Sequence, residues 1–129
     1  MAGLGDSFML PKPGQETEHV WVLITNPDPA SHEAIMVKVT TQRPHSDTTT
    51  ILNVGDHPFV QKPSVIFYAD ARTVDTRLLD AAVQRGACHA HVAFQAAVIL
   101  KIQAGLLAST LTPKRIKTAY AVYAAAGLT

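Results

Sequence analysis

The side chains in this sequence that are able to do chemistry gather in two alternating runs and the turns beside them. In AIMVKVTT, residues 34 to 41, Ile35, Val37 and Val39 fall on one face of an extended strand, and Met36, Lys38 and Thr40 on the other. In SVIFYADARTV, residues 64 to 74, strict alternation puts Val65, Phe67 and Ala69 on one face and Tyr68, Asp70 and Arg72 on the other. If the two strands lie side by side, Lys38 and Thr40 meet Tyr68, Asp70 and Arg72, with Arg43, His45, Asp47 and His57 at the strand ends. Such a set holds what cleavage of RNA through its own 2′-hydroxyl requires: a base for that proton, an acid for the leaving oxygen and a cation for the phosphate. The same residues also make an ordinary solvated sheet face with cross-strand pairs.

Other candidates carry less. Gly55-Asp56-His57-Pro58-Phe59 reads in two ways. His57 supplies an imidazole of near-neutral pKa to the Thr40/Asp70 face; alternatively Asp56 caps a turn, Pro58 fixes the chain direction and Phe59 anchors the loop. His89 and His91 project to one side of an extended segment, but zinc needs three or four converging ligands and the lone Cys88 adds no second thiol, so no metal is expected. The chain has no Gly-rich phosphate loop, no nucleophile elbow and no HExxH. No cofactor is implied.

The elements that must position these residues change character midway. GDSFML (5 to 10), HVWVLIT (19 to 25), AIMVKVTT, TTTILNV (48 to 54) and SVIFYADARTV are about five short β-rich runs separated by turn signals such as Pro13-Gly14 and Asn26-Pro27-Asp28-Pro29. The continuous apolar run of HVWVLIT predicts a central strand covered on both faces. A small antiparallel barrel over about residues 5 to 74 accommodates them. Helices follow over 76 to 86, with Asp75 or Thr76 as N-cap and Gly86 as the stop, over 92 to 108, and over 113 to 125, with Thr112 as N-cap before Pro113. Strands first and helices afterwards is an α+β pattern, here in one domain spanning 1 to 129.

Composition limits the function classes. Hydrophobic residues make up 47% and charged residues 16%, as in a folded soluble chain, and a net charge of +1 argues against a protein that wraps DNA. One cysteine and no secretory pattern at the N-terminus point to a reduced, cytoplasmic setting. Gln95, Lys101 and Gln103 interrupt the apolar stretch 92 to 108, which reads as a buried helix and not a membrane span.

Gly5-Asp6 before a hydrophobic strand, VWVLITNP, VKVTTQ, and a strand ending in Asp70 ahead of Arg72-Thr73-Val74-Asp75 together resemble the MazF/PemK/Kid growth-inhibitor family, in an order that covers most of residues 5 to 108. The resemblance implies an SH3-like β-barrel with C-terminal helical structure, a homodimer, and an endoribonuclease toxin that cuts single-stranded RNA without metal and is paired with an antitoxin protein. It also implies roles: Thr40 falls on the family's active-site threonine and Asp70 near its acidic residue. The family's Arg-Pro before the second strand is Glu18-His19 here, and an arginine two residues before the acidic position is Tyr68. On this reading Arg43, Arg72 and Tyr68 bind substrate, Asp70 or His57 moves protons, and Thr40 orients the scissile group. A barrel that has lost cleavage and serves as a protein- or nucleic-acid-binding module is the alternative.

Overall fold

A computed structural model describes residues 1–11 and 18–129. The element order is β1 (Ser7–Pro11), β2 (Glu18–Leu23), β3 (Glu33–Thr41), β4 (Ile51–Leu52), β5 (Ser64–Asp75), α1 (Thr76–Gln84), β6 (His89–His91), α2 (Ala96–Ala108) and α3 (Lys114–Ala125). The fold is α+β. All strand pairings are antiparallel, in the order β4-β5-β3-β2-β1-β6, and the sheet curls into a half-barrel with β4 and β6 as its edges. The Pro13-Gly14 turn expected before β2 lies outside the described residues.

β2 and β3 occupy the centre of the sheet, and their side chains divide between two apolar layers. Val20, Val22, Ile35, Val37 and Val39 face a large core with α2 and α3, which contribute Val98, Ile102, Leu106, Ile116 and Tyr120. Trp21, Leu23, Ala34 and Met36 point to the opposite face, where a smaller cluster forms with Phe8, Leu79 of α1 and Cys88. A strand covered on both sides must be apolar throughout, which is why VWVL lacks alternation. The outer layer covers only part of that face, and beyond it the sheet is open to solvent.

Three expected elements differ. The expected strand 48 to 54 pairs only at Ile51 and Leu52, opposite Val65 and Ser64. Residues 92 to 95 are not helical and α2 starts at Ala96, because Phe94 is buried in the core and its N–H donates to the Gly5 carbonyl. Thr112 does not cap α3: its hydroxyl donates to the Leu106 carbonyl, 2.7 Å away, and ties the loop to the end of α2. A sixth strand appears where a connection was expected, since His89, Ala90 and His91 pair with Met9, Phe8 and Ser7. α1 begins as anticipated, with the Asp75 carboxylate accepting from Arg77 N–H at 2.9 Å. Among the described residues no helix is long and apolar enough to cross a membrane.

Candidate functional site

The chemistry-bearing face is set by a β-bulge. Met36 of β3 pairs with Arg72 of β5, but Lys38, two residues on, pairs with Phe67. Four residues of β5, 68 to 71, therefore stand against one of β3, and the alternation changes phase inside that stretch. Ile66, Tyr68 and Ala71 turn into the core, while Asp70 and Arg72 join Phe67, Lys38 and Trp21 on the outer face. Strict alternation would have kept Tyr68 with Asp70; the bulge separates them.

On that outer face the residues form a groove of about 240 Å³ whose lining includes His19, Trp21, Met36, Lys38, Asp70 and Arg72. The Lys38 ammonium lies 2.7 Å from Asp70 Oδ2, 4.8 Å from the Phe67 ring centroid and 5.8 Å from that of Trp21. Arg72 stacks its guanidinium carbon 4.9 Å from the Trp21 centroid. One of its terminal nitrogens is 3.8 Å from Asp70 Oδ1, and its Nε donates to the Asp70 backbone carbonyl at 3.2 Å. Aromatic faces attract cations, so Trp21 and Phe67 hold both positive groups at the floor of the groove. A second depression of about 290 Å³ adjoins it, lined by Lys38, Thr40, Arg43, His45, Ser46 and Phe67. Lys38 is common to both.

Thr40, Asp70, Arg43 and Arg72 thus share one side of the sheet, in two depressions joined at Lys38. Tyr68 does not belong with them. Its ring is fully buried, and its hydroxyl donates to the Ile102 carbonyl at 2.8 Å and lies 2.6 Å from Thr50 Oγ1. Burial raises the phenol pKa far above its ordinary value, so Tyr68 stays neutral and ties β5 to α2; it offers substrate nothing.

His57 is also removed from the set. Its ring is buried among residues of the opposite, core side, stacked on Phe94 with centroids 4.1 Å apart and planes 14° apart, and tilted against His91 at 5.0 Å. Nδ1 accepts from the Phe59 N–H at 3.1 Å, so the proton sits on Nε2, which donates to the Val92 carbonyl at 2.6 Å. Desolvation, opposed by the Val92 carbonyl and assisted by His91, lowers its pKa and keeps the imidazole neutral. The role this gives the GDHPF loop is architectural. β4 is one edge of the sheet and β6 the other, and His57, shortly after β4, is bonded to Val92, immediately after β6. The loop clasps the two open edges.

Sequence reasoning left Trp21 out of the set and gave Lys38 and His45 no particular role. Lys38 looked like one of several outward residues; only the register, with Trp21 and Phe67 as its two cross-strand partners, shows that it is central. Trp21 looked like plain core. His45, at the end of β3, is the imidazole on the Thr40 side. Among the described residues no three His, Cys, Asp or Glu converge as a metal site would require.

Comparison of the chain with models of protein families, with curated proteins and with solved structures gives no match in any of the three.

Proposed function

We propose that the chain binds single-stranded RNA along the outer face of the sheet. The observation that carries this reading is the groove in which Lys38 and Arg72 lie against Trp21 and Phe67, with Arg43 in the adjoining depression. Unpaired nucleic acid offers a chain of phosphates and splayed bases, and proteins take it with a cationic track interleaved with aromatic platforms. In a chain with a net charge of only +1, three cations gathered on one face favour a polyanion there over general electrostatic binding. In this reading the curled sheet is a divergent, open SH3-like barrel.

Cleavage of the bound strand is a second reading, favoured by the depression that holds Thr40, Arg43 and His45 together. Arg43 would hold the phosphate, Thr40 would orient it, and His45, in the place earlier assigned to His57, would move the 2′-hydroxyl proton, with Asp70 in the next depression. The chain is then a MazF/PemK-like growth inhibitor acting in the cytoplasm as a homodimer, and an antitoxin protein is its partner.

Fluorescence anisotropy with labelled single- and double-stranded RNA tests the first reading, and analysis of product ends tests the second. Binding that prefers the single strand and weakens steeply with salt is expected. Equal or absent binding to both refutes it. Products ending in 2′,3′-cyclic phosphate, lost in Thr40→Ala, add cleavage; intact RNA removes it.

A further inference from the structure

We propose that Lys38 and Arg72 form a phosphate subsite which the chain itself occupies with the Asp70 carboxylate, and that a phosphate of the bound strand displaces it. The inference rests on the RNA-binding reading of the same groove. Asp70 presents one oxygen 2.7 Å from Lys38 Nζ and the other 3.8 Å from the Arg72 guanidinium. Two oxygens of one anion bracketed by two cations is also how a phosphodiester presents its non-bridging oxygens to a Lys–Arg pair. The carboxylate reaches this position because the bulge at residues 68 to 71 turns Asp70 outward; without the phase change that side chain would point into the core.

The two sides of the pair are unequal. The Lys38 side chain is only 12% exposed and is fixed by the aromatic floor, whereas that of Asp70 is 37% exposed, so the anion is the partner free to turn away. An ion pair open to water on one side is weak, and a polyanion making several contacts outcompetes it. A neutral ligand, or one with a single weak contact, does not. Asp70 therefore acts as an internal competitor that keeps the groove closed to ligands lacking a phosphate chain, and its removal has the opposite sign from the loss of a binding residue.

The test is equilibrium binding of a 2′-O-methyl single strand of about 12 nucleotides, which cannot be cut through its own 2′-hydroxyl, measured from about 50 to 200 mM salt. Asp70→Asn is expected to bind about two- to fivefold tighter than the native chain, because the displaced pair no longer opposes binding. Its log–log salt slope stays that of the native chain, because the same phosphates are contacted and release the same ions in both. In Lys38→Gln/Asp70→Asn the gain in affinity vanishes. Asp70→Ser repeats the measurement if the asparagine variant does not melt cooperatively, and inorganic pyrophosphate added at millimolar level to the native chain must change the emission of Trp21. Unchanged or weaker binding by the position-70 variants, with the native chain still binding, overturns the subsite and leaves the RNA-binding reading intact. Unaltered Trp21 emission with pyrophosphate also overturns the subsite. Absence of binding by the native chain overturns both, whether or not Asp70→Asn binds.

Discussion

Replacing His57 tests whether the GDHPF loop is architecture. His57→Ala removes the stack on Phe94, worth about 0.5–1.5 kcal/mol, and leaves the Phe59 N–H without its acceptor, at about 1–3 kcal/mol. The Val92 carbonyl stays paired, since Ser7 Oγ donates to it at 2.6 Å. The expected loss is about 2–4 kcal/mol, and His57→Phe, which keeps a ring against Phe94, should lose only about 1–3 kcal/mol. Urea unfolding near neutral pH reads both, as a shift in midpoint at constant slope. A pH component accompanies it. Burial lowers the folded-state pKa of His57 below the ordinary value of about 6.5, so between the two values the unfolded chain holds more protons. The stabilisation is therefore complete above about pH 6.5 and is lost as pH falls from there through the lower folded value. His57→Phe lacks this component, and its unfolding midpoint falls less than that of the native chain on going from about pH 7 to about pH 5. A His57→Ala protein within about 0.5 kcal/mol of native stability, with the native pH profile, refutes the clasp. Native stability combined with lost RNA binding or cleavage would return His57 to the site.

Other substitutions separate the two faces of β5 and the two readings of the groove. Tyr68→Phe loses the hydrogen bonds to Thr50 and Ile102 and about 1–3 kcal/mol of stability, yet binds RNA as the native chain does; weakened binding at native stability would put Tyr68 back in the groove. Gly105→Ala places a methyl group onto Thr50 Oγ1 and the Tyr68 hydroxyl, and a loss of more than about 3 kcal/mol, or no soluble folded protein, is expected from circular dichroism; a native melt would contradict that packing. Thr40→Ala leaves affinity for the 2′-O-methyl strand within about twofold, since one partly exposed hydroxyl contributes about 0.5 kcal/mol or less, and any cleavage is lost; a tenfold loss of affinity would make Thr40 a binding residue.

The central strands were legible because each has a local signal. Val20 to Leu23 is apolar throughout since both faces are covered, and Ile35, Val37 and Val39 alternate cleanly with Met36, Lys38 and Thr40. β5 misled because nothing in YADAR announces that four residues stand against one; the bulge is fixed by pairing with β3, and with it the side on which Tyr68 falls. His89 to His91 has no apolar pattern and becomes a strand only because β1 offers an edge. The environment of His57 depends on that same distant strand, so its burial is not encoded near position 57. That Lys38, Thr40, Asp70 and Arg72 lie on one side of the sheet was legible from type and spacing, whereas the place of Trp21 beside Lys38 became recognisable only with the cross-strand register.

Trp21 is the only tryptophan in the sequence and lies beneath Lys38 and Arg72, so its emission reports directly on the groove. Titration of the native chain with an unlabelled 2′-O-methyl single strand of about 12 nucleotides should change that emission saturably, with a midpoint that rises steeply with salt and a response abolished in Lys38→Gln/Arg72→Gln. Binding by anisotropy with Trp21 emission unaltered, or a response that survives the double substitution, would contradict the assignment of this groove as the RNA site.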